Sequence, residues 1–524
     1  MKKVLVILFL FNILLYPKTL DESLFSAVEN NNIKKVKSYL EQGANCNALD
    51  SYDRTALINA SVRGYDDIAK LLIEEGTDVN IKDKAGATAL MYTARNTNYE
   101  MVEFLLKNGA DVNIRDTAGE TALYYSIEHN SSGQENETEN AIKILNLLIK
   151  NGADINTKND EGASLLDASY RISESFDKNK EMFKILVENG FDLESRINAK
   201  THSEHSSVET PLLLSLDNEH PDYRYYYYKN ENSSAAEFLI NNGADINVTN
   251  EDGETPLMYA SKLHNIKVVE LLIQKGADIN VTNEYGETPL MYASRIHNIK
   301  VVELLIQKGA DINAFDDYGN TALMYGVNNL ETVKLLVENG ADVNSQKGGS
   351  TALILACKPS LEINIDVIKY LVSKNADINA QDNEGYTALN KTLTTMPDFE
   401  IAHFLIEQGA DLNIKNKNQY TPLIYLGMLE GSFYNISFQE NRIKLAQVLL
   451  EKGADINAQD YNGYTSLMWA CTRKSNESFV KFLVEKGADV NIENDYGDTA
   501  LDMAENLELR EIADILKKAQ RNGN

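Results

Sequence analysis

Apolar residues recur along this chain in short paired clusters rather than in long runs. In one stretch, Leu257 and Ala260 stand three apart and form one helical face; Val268, Val269, Leu271, Leu272 and Ile273 follow as a second cluster that is apolar on more than one side. Thr255 followed by Pro256 is an N-cap oxygen followed by proline at the first helical position, where the missing N–H is harmless, so a helix starts there. Gly276 suits the left-handed position that ends the second helix. His264 and Asn265 sit at the break between the helices, where Asn tolerates the left-handed conformation better than most residues. An Asp or Asn, then Gly two or three residues on, marks a turn before each pair.

The pattern repeats. Asn250 to Thr282 and Asn283 to Phe315 are consecutive 33-residue blocks that differ at only five positions. The Thr-x-Leu step recurs at Thr55, Thr88, Thr121, Ser164, Thr210, Thr255, Thr288, Thr321, Thr351, Thr387, Thr421, Thr465 and Thr499. Ser23 to Asn47 reads as a helix pair without the turn, as a terminal cap should, and Ala500 to Ala519 closes the other end.

In Gly253, Thr255, Pro256, Leu257 and Ala260, then Val268, Val269, Leu271, Leu272, Gly276, Ala277, Asp278 and Asn280, the repeat resembles the ankyrin-repeat family. The resemblance covers nearly everything after residue 21. It implies an all-α solenoid, an ankyrin-repeat stack of helix-turn-helix units with short β-turn or hairpin fingers, with about fourteen repeats over residues 21–524. It also implies a protein partner held along a concave surface lined by first helices and fingers.

Departures from the family pattern mark the regions of interest. Where the family has a hydrogen-bonding His, this chain has Met91, Met258, Met291, Met324 or Met468. Loss of that hydrogen bond in exchange for apolar packing is expected. The next position carries Tyr92, Tyr125, Tyr259, Tyr292, Tyr325, Tyr425 and Trp469. It lies about 200° around the helix from the core Leu, so these rings need not share the apolar stripe. They form either a binding ladder along the first helices or packing between repeats; aromatic anchors favour interfaces as well as cores.

Inserts fall near 129–140, 171–180, 217–234 and 428–441, between the two helices of a repeat, and near 198–208, within a finger. Inserts at one structural point put loops on one edge, a candidate binding edge. Within them Tyr223, Tyr225, Tyr226, Tyr227 and Tyr228 surround Arg224, the composition of an adaptable binding loop. The alternative is a loop folded onto the flank of the stack. Candidate partner-binding residues are therefore the seven ring positions together with Tyr223, Tyr225 and Tyr226.

Charge narrows the partner. A formal net charge of -28 repels phosphate backbones, so nucleic acid is not expected, whereas a basic protein would be attracted. Candidate chemistry is sparse. His202, His205 and His220 lie near Glu204, but their spacing fits no standard zinc pattern, and no HExxH, GxSxG or phosphate-loop motif occurs. Cys46, Cys357 and Cys471 form neither a redox pair nor a disulfide framework. No metal, no cofactor and no catalysis are expected, and the chain is expected to be a monomeric scaffold. The alternatives are an effector acting on host proteins and a metal-dependent enzyme built on the His-containing inserts.

Met1-Lys2-Lys3 followed by the apolar run Val4 to Tyr16 has the charge and length of an export signal, too short to span a bilayer. Residues 1–20 thus predict export, with cleavage or with retention as an N-terminal membrane tether; a buried capping helix is the other reading.

Overall fold

The computed structural model describes residues 18–128, 135–160, 162, 164–165, 176–194, 197–198, 208–216, 232–263, 265–358, 364–394, 397–429 and 436–522. These divide into two units: one runs to Tyr259 and includes Gln274–Ala277, the other comprises Ala260–Ile273 and Asp278 onward. The segment expected to direct export lies almost wholly outside the described residues. So do Tyr223, Tyr225, Tyr226 and the three insert histidines.

Each unit is built from paired antiparallel helices. In the first, Ala56–Arg63 pairs with Asp66–Glu74 and Ala89–Arg95 with Tyr99–Lys107; in the second, Pro289–Arg295 pairs with Ile299–Gln307 and Pro422–Met428 with Ile436–Glu451. First helices pack on neighbouring first helices, and second helices on second helices. The buried positions are those of the apolar pattern: Leu57, Leu90 and Leu123 on first helices of one unit, and Leu290, Leu323 and Leu353 in the other. As the Thr-x-Leu step predicts, Thr55, Thr288 and Thr465 accept the N–H three residues on, from Ile58, Met291 and Met468.

The methionine position adds to an expectation. Met91, Met258, Met291 and Met468 are buried as expected, but each sulfur also accepts the N–H of its own N-cap threonine at 3.4 to 3.5 Å, a bond within the cap rather than to a neighbouring turn. Thioether sulfur is a weak acceptor, but it satisfies one buried donor that the helix itself leaves free. The break between helices is a correction. In the repeat that begins at Asn283, His297 takes the left-handed conformation with φ 59°, while Asn298 caps the next helix by accepting the N–H of Val301 at 3.4 Å. Asn is the better N-cap, so the preceding residue bears the strained turn.

Two of the inserts are in part helical. Glu135–Lys150 and Ile436–Glu451 are 16-residue second helices where the regular repeat has nine, so part of each insert winds onto the helix that follows it. The finger insert is flanked by a two-residue antiparallel pair, Ile197–Asn198 with Val208–Glu209.

Successive repeats are clamped by the Asn of the Asp-x-Asn motif. Its amide donates to the Gly carbonyl of the next repeat and its oxygen accepts the N–H of the following Asp. Asn80 does this to Gly109 and Asp111, and Asn313 to Gly340 and Asp342. Glu194 takes this place once, accepting the Asp245 N–H at 2.7 Å.

Candidate partner-binding surface

Most of the described fingers are shaped by one Asp or Asn; in the finger at 345–350 Gln346 stands in that place. The side-chain oxygen of the Asp or Asn accepts the N–H groups two and four residues on: Asp50 from Tyr52 and Arg54, Asn283 from Tyr285 and Glu287, Asp460 from Asn462 and Tyr464. Such a side-chain turn fixes the finger without a sheet. Neighbouring fingers are then joined through the backbone. Lys84 N–H donates to the Tyr52 carbonyl in the first unit, and Asp317 N–H to the Tyr285 carbonyl and Asp495 N–H to the Asn462 carbonyl in the second. The approach is close enough to require glycine: a Cβ on Gly86, at φ +76°, would lie 2.8 Å from Thr117 N.

The other end of the same Asp or Asn turns inward to the aromatic position nine residues later. Tyr92 donates to Asp83 at 2.7 Å, Tyr125 to Asp116 at 2.8 Å, Tyr325 to Asp316 at 2.5 Å, and the indole N–H of Trp469 to Asp460 at 2.8 Å. Where the finger carries Asn the direction reverses, and the phenol oxygens of Tyr259, Tyr292 and Tyr425 accept from Asn250, Asn283 and Asn416. Tyr125, Tyr259, Tyr292 and Tyr425 are only 6 to 8% exposed. Tyr92, Tyr325 and Trp469 are half-buried. The seven rings thus tie their seven fingers to the first helices that follow them. Some meet their neighbours: Tyr92 and Tyr125 pack edge to face with centroids 6.4 Å apart.

Burial, reinforced by the adjoining Asp116 carboxylate, drives the Tyr125 phenol far above its ordinary value. Burial and Asp316 do the same for Tyr325, against partial relief from Arg295. These hydroxyls therefore stay protonated and serve as hydrogen-bonding groups. The Cys357 and Cys471 thiols are buried, which pushes Cys357 well above the ordinary range and Cys471 up to about 12, so both remain neutral. Among the described residues no group of three His, Cys, Asp or Glu side chains is placed to hold a metal.

A second set of aromatic residues stands at the finger tips, and the repeat pattern does not single it out. Tyr461 is 75% exposed, Tyr496 71%, Tyr318 69%, Tyr52 63% and Tyr285 46%, with Phe315 also at the surface. Tyr52, Tyr285, Tyr318 and Tyr496 lie two residues after the finger Asp or Asn, and Tyr461 one residue after. The available signal was that spacing, a tyrosine just after the residue that makes the turn.

The match to the family described as ankyrin repeats (3 copies) covers residues 24–116, 76–159, 169–283, 224–316, 281–347, 345–416 and 434–523. No curated protein matches the chain. Ankyrin repeats generally mediate protein–protein interaction, and the proteins that carry them are typically scaffolds rather than enzymes. With matches spanning most of its length, and the fingers, capped first helices and Asn clamps running through both units, the chain belongs to the ankyrin-repeat family.

Proposed function

We propose that the protein is a non-enzymatic scaffold that binds a basic protein partner through its finger tips, together with the half-buried rings Tyr92, Tyr325 and Trp469 beside them. The observation that carries this reading is the exposure of Tyr52, Tyr285, Tyr318, Tyr461 and Tyr496 on fingers already held rigid by side-chain and backbone hydrogen bonds. An exposed ring on a fixed support binds with little ordering cost, and Tyr is prominent among residues that dominate interfaces. The net charge of -28 favours a basic partner. The chain acts as a monomer outside the cytoplasm, a placement supported by the positively charged and then apolar sequence of residues 1–20.

Affinity capture with the tagged full chain, from exported and cytoplasmic fractions, identifies the partner and tests the location. A variant with Tyr52, Tyr285, Tyr318 and Tyr461 replaced by Ser then tests the surface by calorimetry against the purified partner. The expected loss is a few kcal/mol of binding in sum with an unchanged helical spectrum. Undiminished affinity in a folded variant would rule the tips out as the binding surface.

A further inference from the structure

The protein repeatedly seats its own cations between an aromatic ring and a finger carboxylate. In the first unit Arg54 lies 5.6 Å from the Tyr52 ring centroid and 5.8 Å from that of Tyr92, with Asp83 at 3.4 Å. In the second, Arg295 lies 5.3 Å from the Tyr292 centroid and 4.2 Å from the Tyr325 centroid and pairs with Glu287. Lys391 lies 3.8 Å from the Tyr386 centroid and 2.8 Å from Asp382.

The finger at Asp460 carries the same parts differently assigned. Asp460, Tyr464 and Trp469 occupy the places that Asp382, Tyr386 and Lys391 hold in their repeat, so an indole stands where the cation would be. Trp469 and Tyr464 have centroids 5.1 Å apart with planes tilted 33°. Tyr496, from the next finger, meets Tyr464 edge to face at 6.4 Å. Asp498 is placed as Glu287 is in its own repeat, four residues after the finger Asn; its backbone N–H is held by Asn494 at 2.9 Å. Burial, the neighbouring Tyr496 and the charges of Asp498 and Asp460 push the Tyr464 phenol upward, an environment that disfavours a further negative charge. None of the cation–ring contacts among the described residues involves Tyr464, Trp469 or Tyr496.

We propose that Tyr464, Trp469 and Tyr496, with the carboxylate of Asp498, seat an arginine side chain of a basic partner polypeptide. The chain's own Arg54 and Arg295 show a guanidinium held among two rings and a finger carboxylate at other positions of the repeat. Arginine suits the seat better than lysine because its planar group stacks on rings while donating to a carboxylate. The strongly negative net charge draws such a partner in. This rests on the protein-binding reading above and names the chemistry of one part of that surface.

Trp469 is the only tryptophan of the chain, so its fluorescence reports the seat directly. The full chain is titrated with acetyl-Gly-Arg-Gly-amide, and with its Gln and Lys counterparts, at fixed ionic strength. The Arg peptide is expected to give a saturable change several-fold stronger in affinity than the other two. Tyr496→Ala and Asp498→Asn should each weaken it about five-fold, the range of a single cation–ring or exposed charge contact. Tyr496 is 71% exposed, so its loss leaves the fold intact, which an unchanged helical spectrum checks. Equal response to the Gln peptide, or full response in Tyr496→Ala, overturns the seat, and equal response to the Lys peptide overturns its assignment to arginine. If the Arg peptide fails while the four-tyrosine variant still loses its captured partner, the scaffold reading stands and the seat does not.

Discussion

The first-helix rings and the finger-tip rings use mostly the same residue type a few positions apart, and their surroundings give them opposite work. Tyr425, 7% exposed, accepts from the Asn416 amide and packs against Tyr420 and Tyr386 at 5.6 and 6.2 Å. Tyr461, 75% exposed, stands on the next finger, joined to the Asn416 finger by the N–H that Tyr461 donates to the Asn418 carbonyl. The difference lies in what the finger Asp or Asn does with its two ends. One end holds the turn and so presents the tip ring outward; the other holds the inner ring and so uses up its polar atom. An aromatic residue that meets the turn end is thus presented as surface, whereas one that meets the other end is tied to the scaffold, with the half-buried Tyr92, Tyr325 and Trp469 alone among the seven keeping an exposed edge.

The largest expected effect separates these roles most sharply. Tyr425→Ala removes a buried ring and strands the Asn416 amide, so it should destabilise the protein by roughly 3 to 5 kcal/mol, as large-to-small core changes do. Chemical denaturation followed by far-UV circular dichroism measures it. A loss below about 0.5 kcal/mol would place Tyr425 with the tip residues. A solenoid can unfold in parts, so the loss should appear as early melting of the second unit's repeats rather than a uniform shift.

The fold was legible because the repeat announces itself several times over: the Thr-x-Leu step, the paired apolar clusters and the glycine two or three residues after the finger Asp or Asn all point to the same unit. The partner surface was only half legible. The ring position two residues past the core Leu was found, but its burial depends on a hydrogen bond to a side chain nine residues upstream, across a turn, which helical periodicity does not reveal. The tip tyrosines have no apolar period at all, since a finger has no buried face to impose one. Arg442 gave no signal either. It lies in the lengthened helix Ile436–Glu451, fully buried, with its guanidinium 3.9 Å from the Phe479 centroid and 2.9 Å from Asn476. Burial alone lowers its pKa to about 9, so it stays charged at neutral pH.

Reversing the polarity of the finger bond tests whether the inner rings are held as described. A tyrosine hydroxyl both donates and accepts, so Asp116→Asn lets Tyr125 turn from donor to acceptor, the arrangement that Asn283 and Tyr292 already show. An indole N–H only donates. In Asp460→Asn the remaining oxygen is still required by the N–H groups of Asn462 and Tyr464, which leaves an amide N–H₂ facing the Trp469 N–H. One half-buried donor then loses its acceptor, and Asp460→Asn should cost about 1 to 3 kcal/mol while Asp116→Asn costs under about 1. Equal losses in matched denaturation curves would mean that the finger bond contributes through charge rather than through donor and acceptor.

The smallest expected effect is at the tips. Tyr461→Ala and Tyr318→Ala remove rings that are 75% and 69% exposed. The turns beneath them are held by Asp460 and Asp316, whose oxygens accept backbone N–H groups that do not depend on the ring. Neither substitution opens a cavity or strands a buried donor, the mechanisms by which single changes cost more than a kcal/mol. Stability should therefore stay within about 0.5 kcal/mol of the parent, as for other surface positions. A larger loss for either would mean that the exposed ring shields the finger's hydrogen bonds from water. The tips would then belong to the scaffold along with Tyr425, and the division between the two sets of rings would fail at its exposed end.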